Sequence, residues 1–335
     1  MQFTDHGLCR SVFAMPRKPR IEYEGAVYHV LNRGNYQEDL FDVDGSGPMF
    51  EEVLFAAAGR FGWILHAYVI MSNHYHLAME TPEANLVVGM QWLQSTFGNR
   101  FNRVVRQRGH VFQGRYKALL VEDGGYLLKL VNYVHLNPVR AGIVEVDQLR
   151  QHALSSFPKF FSKKRPACLA NRNWLALAGD LVPTPAGMRR YHKYLAMCHE
   201  SDSGRQKELH VQLCRGWFVG TREGKEAILS DIADGNLDVG PGSDQFGKEG
   251  AELLLKRGLA SLAKPARDLE DDRKGAVWKV VLASWVKSQC GVGNQWLSEH
   301  LFMGNMHNVS RMVSQELKAP QKHRKLWKQL KRAKN

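Results

Sequence analysis

Two periods alternate along the first half of the chain. Over Ala26–Gly34, Val27, His29 and Leu31 fall on one side and Tyr28, Val30 and Asn32 on the other, as in a strand. Arg33-Gly34-Asn35 closes it with turn chemistry. From Gly47 to Phe61 the period becomes helical, with Phe50, Val53, Leu54 and Ala57 on one face. Leu65 to Glu80 is apolar and β-prone and reads as one buried strand. Thr81 to Asn85 breaks the chain, and Leu86 to Arg106 reads as a long helix with Val87, Met90, Leu93, Phe97 and Phe101 on one side. Gly109 to Val121 reads as a turn and then a strand. Gly125 to Leu136 reads as a helix stopped by Pro138, with Arg140-Ala141-Gly142 as the exit turn. A further short strand is expected near Glu38-Asp39-Leu40-Phe41. This order predicts an α+β sandwich of the ferredoxin-like kind.

The pattern changes after residue 157. Pro158 to Pro166 is a basic stretch between prolines and reads as a linker. Trp174–Ala178 and Met188–Cys198 read as helices, the latter with Arg189, Arg190, His192 and Lys193 exposed. Asp234 to Gly250 is rich in Gly, Asp and Ser and reads as a loop. Helical spacing returns at Val277, Val280, Val281 and Trp285. Asn294–Leu301, the turn Phe302–Asn305 and Met306–Val313 then form a helix-turn-helix pattern, whose second helix would offer His307, Asn308, Ser310 and Arg311. A plain helical hairpin is the alternative. The last stretch carries Lys318, Lys322, Arg324, Lys325, Lys328, Lys331, Arg332 and Lys334 over a thin stripe of Leu326, Trp327 and Leu330. It predicts a short basic helix, with a frayed end as the competing reading. The expected organisation is a disordered leader over 1–15, the α+β domain over 16–157, a helical linker region with loops over 158–275, and a helix-turn-helix-like region with a basic tail over 276–335. Residues 170–270 carry no recognised motif.

Charge adds a partner. The chain has 46 Lys and Arg against 33 Asp and Glu, net +13, which points to a polyanion, nucleic acid before membrane. Its five cysteines (Cys9, Cys168, Cys198, Cys214, Cys290) are scattered without a C-x-x-C pair and fit a reducing cytoplasm. No apolar run reaches membrane-spanning length. Met1 to Ala14 does not read as a signal peptide, and Met15-Pro16-Arg17-Lys18-Pro19-Arg20 reads as a second start.

The candidate chemistry centres on His74-Tyr75-His76. In a strand, two histidines two apart share a face and can present two nitrogens to one metal ion, while Tyr75 points away. In the helix that follows, Tyr133 and Asn137 lie four apart on one side. Tyr126, two turns earlier, is the competing nucleophile, but it has only Leu130 at the same offset. His29 reads as a buried, hydrogen-bonded histidine that could lie near the site. Arg100, Arg103, Arg106 and Arg108 line the end of the long helix, as a phosphate-contacting or merely solvated face. Arg115, Tyr116 and Lys117 combine cations with an aromatic, suited to backbone contact and base stacking.

Taken together, these pieces resemble a known family. His74-Tyr75-His76 is similar to the His-hydrophobe-His motif of HUH endonucleases. Tyr133-Val134-His135-Leu136-Asn137-Pro138-Val139-Arg140-Ala141-Gly142 resembles the tyrosine-helix signature of single-tyrosine HUH transposases, the REP-associated tyrosine transposases above all. Tyr28-His29-Val30 with Asn32-Arg33-Gly34, Met71 to Leu77, and Phe112 to Lys117 occur in the matching order. Leu154-Ser155-Ser156-Phe157 resembles a Trp-Ser-Ser-Tyr segment with its Trp replaced. The resemblance covers about residues 16–157. It implies a ferredoxin-like HUH nuclease core, here followed by a mainly α-helical C-terminal region. It also implies Tyr133 as nucleophile, His74, His76 and Asn137 as ligands of Mg²⁺ or Mn²⁺, and a 5′-phosphotyrosine intermediate.

The expected function is therefore a metal-dependent endonuclease and strand-transferase on single-stranded or hairpin DNA, serving DNA transposition and recombination. The alternative is a non-catalytic DNA-binding regulator derived from a transposase. DNA contacts are expected from Arg33, Arg100, Arg103, Arg115, Tyr116, Lys117 and Arg140, and from His307, Asn308 and Arg311. No small-molecule substrate and no membrane partner are expected. A zinc-hydrolase reading is weak, because no third His, Cys or carboxylate has zinc-site spacing.

Overall fold

A computed structural model of the chain describes residues 21–202, 204–234, 237 and 247–332. The expected leader over 1–15, the second start at Met15, Lys334 and most of the Gly- and Asp-rich loop lie outside the described residues. The chain forms two compact units, Ile21–Ile232 and the residues from Ala233 onward.

In the first unit the order is β1 Ala26–Arg33, α1 Ser46–Phe61, β2 Ile64–Ile70, β3 His74–Thr81, α2 Leu86–Val105 and β4 Lys117–Val121. The sheet order is β2-β3-β1-β4, antiparallel throughout, with the two-residue strand β5 Phe218–Val219 added in parallel beyond β4. This βαββαβ arrangement is the ferredoxin-like core that the periodicity predicts, and the fold is α+β. Two expectations are corrected. The histidine stretch is not one strand but a hairpin, turning at Ser72-Asn73, so His74 and His76 begin β3 rather than end a longer strand. No glycine or proline marks that turn. Glu38–Phe41 forms no strand: Asn35–Gln37 is a 3₁₀ turn, and the next residues run as coil and turn. The apolar pair Leu40 and Phe41 is buried by packing, and Phe41 N–H donates to the Ser72 carbonyl of the hairpin turn at 2.8 Å.

Strand phase then sorts the side chains. Tyr28, Val30, Leu77, Tyr75 and Ile70 share the face under α1 and α2 by register. There Tyr75 sits 4.6 Å from the Phe50 ring and 5.9 Å from that of Phe112, centroid to centroid, and Phe97 lies 5.2 Å from Phe50. The opposite face carries His29, Leu31, His76 and Lys117, since Leu31 pairs with both His76 and Lys117. It is covered by α3 Gly125–His135, which runs into the single turn α4 Asn137–Arg140.

The first unit does not end at Phe157. Next come α5 Ser156–Lys159, α6 Arg172–Leu177, α7 Pro185–Asp202, α8 Gln206–Cys214 and α9 Arg222–Asp234, most of α9 still inside it. The basic stretch expected as a linker is packed instead. Phe157, Phe160, Leu169 and Trp174 are buried, and Lys159 pairs with Glu51 of α1 at 2.9 Å. Ser156 Oγ lies 2.9 Å from His135 Nε2 and accepts the Tyr68 N–H, also at 2.9 Å. Tyr191 of α7 donates to Asn132 Oδ1 at 2.8 Å.

The second unit is helical: α10 Gly247–Ser261, α11 Asp268–Asp271, α12 Val277–Cys290, α13 Asn294–His300, α14 Met306–Lys318 and α15 Arg324–Arg332. The α13-turn-α14 pair follows the expected spacing. Asn305 caps α14 by accepting the His307 N–H at 2.8 Å. Over its described residues the basic tail is a packed helix: Leu330 is fully buried, and Trp327 Nε1–H donates to Glu316 Oε1 at 2.8 Å.

Candidate active site

The site is built where the start of β3, the middle of β1 and the end of α3 meet. His76 lies on the helix-covered face of the sheet, buried at 3% exposure, and His29 of β1 stands beside it, fully buried. His29 Nε2 and His76 Nδ1 are 2.8 Å apart, and His29 Nδ1 is 2.7 Å from the Leu213 carbonyl of α8. A carbonyl only accepts, so His29 Nδ1 carries a proton. Its Nε2 is then the acceptor, and His76 donates from Nδ1. The chain Leu213 C=O, His29, His76 thus leaves the lone pair of His76 Nε2 uncommitted. His74 follows the same rule one step along the strand, its Nδ1 being 2.7 Å from Asn73 Oδ1 in the hairpin turn. Both histidines of the motif are held by one nitrogen and present the other, as orienting partners do for metal-binding imidazoles.

Burial keeps these rings neutral. It lowers the pKa of His29 to about 4 and that of His76 well below the ordinary histidine value, the neighbouring imidazoles adding to the effect. His74 is lowered for the same first reason, with His210 and Arg33 contributing. Neutral imidazole is the form that binds a metal.

Tyr133 closes the site from α3. Its ring meets His76 edge-on at 5.6 Å and His29 at 6.1 Å between centroids. The phenol is 5% exposed. Burial, and next the Cys214 thiol, raise its pKa, so it is protonated at neutral pH. The Asn137 side chain lies by the phenol and favours its ionised form. Arg140 lies over the ring, its guanidinium carbon 5.0 Å from the centroid, and donates to the Tyr133 carbonyl at 3.0 Å. His74, His76, Tyr133 and Asn137 therefore converge, and two uncommitted imidazole nitrogens with an amide oxygen make a donor set that fits a divalent cation. Tyr126 is elsewhere, at the N-terminal end of α3, lining a cleft with Glu122, Asp123 and Lys129.

A second grouping brings His29, His76 and Cys214 ligand atoms within 4.8 Å of one another. Two ligands of one tetrahedral ion at ordinary metal–nitrogen lengths stand about 3.3 Å apart. The 2.8 Å between the two imidazole nitrogens is a hydrogen bond instead.

Residues 22–137 match the model of the IS200-like transposases. Over that segment the chain is similar to the IS200-like transposases. Among solved structures, one described as a REP-associated tyrosine transposase bound to a REP hairpin is 17% identical, covering 45% of this chain and 87% of that one, with a TM-score of 0.36. No curated protein matches the chain.

The candidate DNA-contacting residues of the first unit divide. Arg33 is exposed at the end of β1, beside His74 by register, and bonds Gln113 of the loop before β4. Arg115 is exposed on that same loop, and Arg103 is exposed near the end of α2. Arg100 is exposed and ion-paired with Glu52 at 2.9 Å. Three others are buried or already bonded within the chain. Tyr116 is 7% exposed. Lys117 points to the histidine face, donates to the Cys214 carbonyl at 2.5 Å and is lowered in pKa by burial. Arg140 is committed to Tyr133 and to Asp202 at 3.4 Å. In the helical unit, His307, Asn308 and Arg311 are all exposed on α14.

Sequence reasoning missed His210 and Cys214. His210 Nδ1 is 3.1 Å from the Tyr133 hydroxyl, and Cys214 Sγ–H donates to it at 3.3 Å. Neither belongs to a motif, and both lie beyond the matched segment. A two-residue partial signal existed, a His and a Cys four apart in a short helical stretch, but nothing in it pointed to Tyr133.

Proposed function

We propose that the protein is a transposase: a metal-dependent endonuclease and strand-transferase that cuts single-stranded or hairpin DNA and keeps the cut strand as a 5′-phosphotyrosine on Tyr133. One observation carries this reading. The hydroxyl-bearing ring of Tyr133 stands against His76, and the two motif histidines are each fixed through Nδ1 with Nε2 uncommitted. His74 and His76 through Nε2 and Asn137 through Oδ1 would hold Mg²⁺ or Mn²⁺, which when bound supplies charge stabilisation on the phosphoryl oxygens. Tyr133 supplies the nucleophile: its Oη–P bond forms as the P–O3′ bond breaks, leaving a free 3′-hydroxyl. Exchange of one phosphodiester for another needs no external energy source. Arg33 and Arg115 flank the histidine end of β3 and would hold phosphates there, while the exposed α14 residues His307, Asn308 and Arg311 would add a second DNA contact. The described residues include no helix long and apolar enough to cross a membrane.

The test is incubation with end-labelled hairpin DNA and Mn²⁺, followed by a denaturing gel. The expected product is a protein–DNA adduct with equimolar free 3′ strand, absent in EDTA. DNA binding without any adduct would return the protein to the regulator reading.

A further inference from the structure

We propose that His210 of α8 is the proton acceptor for Tyr133 during strand cleavage and the donor that restores the phenol on strand release. The proposal rests on Tyr133 being the nucleophile. Its Oη is buried, and among its polar neighbours in the described residues one can take its proton. Cys214 already donates its S–H to that oxygen, and the neutral amide of Asn137 is no base. Arg140 carries a guanidinium and accepts nothing. His29 and His76 meet the ring of Tyr133 rather than its hydroxyl, and they are bonded to each other. His210 Nδ1, 3.1 Å from Oη, is the remaining acceptor. It is exposed, so a proton taken there has a path to water.

The placement of His210 is built in. His210 and Cys214 are four apart on α8 and so share a face. The C-terminal carbonyls of α8 lack helical partners and are satisfied by the active face: Leu213 C=O accepts from His29 and Cys214 C=O from Lys117. Lys129 of α3 adds a bond to Gln212 Oε1 at 2.8 Å. Docked this way, one helix sets the His29–His76 proton order and aims His210 at the nucleophile.

In the cleavage step Oη bonds to phosphorus, the P–O3′ bond breaks, the phenol proton passes to His210 Nδ1, and the departing 3′-oxygen takes a proton from solvent. In strand transfer an incoming 3′-hydroxyl attacks the phosphotyrosine, loses its proton to solvent, and Oη recovers a proton from His210.

The experiment is single-turnover adduct formation by the full chain on saturating labelled hairpin DNA with Mn²⁺. His210→Ala is expected to slow the adduct about 10²- to 10⁴-fold, the range for losing a positioned base, with DNA affinity unchanged. Added imidazoles should restore part of the rate, the more basic ones more. His210→Gln keeps the side-chain reach and a hydrogen-bond acceptor but no usable base, and should be as slow as His210→Ala. A rate within about threefold of wild type for His210→Ala, slowing without imidazole rescue, or recovery in His210→Gln would each overturn the assignment. Tyr133→Phe separates the two readings: an adduct surviving there would remove the nucleophile itself, whatever His210 does.

Discussion

Tyr75 and His76 are neighbours in one strand, equally buried, and they live by opposite rules. Tyr75 faces α1 and α2, where Phe41, Phe50 and Phe112 surround it and its hydroxyl accepts from Gln94 at 3.1 Å. That face is held by volume and contact area. His76 faces α3 and α8, where each ring nitrogen either has one specified partner or is left open for a ligand. That face is held by proton order. The first can lose a ring and still do its chemistry once folded. The second can keep its fold and lose its chemistry to a single misplaced proton. The two faces therefore give opposite responses to substitution.

The largest effect is expected on the polar face. Tyr133→Phe keeps the ring against His29 and His76 and removes only the oxygen, so the adduct should vanish while DNA binding stays near wild type. Tyr126→Phe should leave the adduct intact, since that ring sits in the cleft with Glu122 and Asp123. The reverse pattern on a denaturing gel would overturn the choice of nucleophile.

Next comes a matched pair across the sheet. His76→Ala removes an expected ligand and should cut single-turnover cleavage well beyond the roughly 10–100-fold lost with a ligand's orienting partner. It also strands His29 Nε2 without its donor, for about 1–3 kcal/mol of stability. Phe97→Ala, on the aromatic side of the sheet, should cost about 3–5 kcal/mol, measured by denaturant unfolding, yet leave the cleavage rate per folded molecule close to wild type. Equal damage to rate and to stability in both variants would mean the two faces are not separable.

How much of this was legible beforehand follows the same division. The strands and helices of the aromatic face announce themselves by period, and the two-residue spacing of His74 and His76 fixes their common side. The four-residue spacing of Tyr133 and Asn137 likewise survives into the structure. What could not be read was long-range polar partnership. His210 and Cys214 stand 77 and 81 positions from Tyr133 and reach it only because α8 docks by its carbonyls. The hairpin at Ser72-Asn73 was hidden by an apolar run without a glycine or proline. Tyr116 and Lys117 sit where strand phase buries one and aims the other inward, which a string of cations and an aromatic does not reveal. The compact unit's extension to Ile232 was equally silent, since its apolar contacts are spread over short helices.

A smaller effect should appear with pH. His135 is fully buried between Tyr191 and Ser156, and burial lowers its pKa to about 3, while His29 sits at about 4. Both are depressed below the unfolded value, so the unfolded chain binds more protons as pH falls below that value, about 6.5. Stability is then full above about 6.5 and falls by about 1.4 kcal/mol per pH unit for each histidine on acidification. The loss continues until each folded pKa is passed. Denaturant midpoints at pH 7, 6 and 5 test the sign: a midpoint that rises on acidification would contradict neutral burial. His135→Phe should remove its share of the slope without touching cleavage, because His135 bonds Tyr191 and Ser156 and not the Tyr133 hydroxyl.

The smallest expected effect concerns α15, a basic element of the other unit. Deleting it would be a poor probe, because Leu330 is buried and Trp327 anchors to Glu316, so truncation would remove packing together with charge. Lys325, Lys328 and Lys331 are exposed, and their change to Gln removes charge alone. If these lysines meet DNA, they do so as point charges on phosphates, without reading bases. The triple variant should weaken binding of every hairpin alike. It should also lower the slope of log affinity against log salt by about 0.7 for each single-strand phosphate that the protein no longer neutralises. Preference between cleavage sites should be unchanged, since it would rest on the residues around the histidine face and on His307, Asn308 and Arg311. Titrations of wild type and variant across a range of salt concentrations decide it. An unchanged slope would leave α15 as packing for its own unit, while a changed site preference would mean that its lysines read sequence after all.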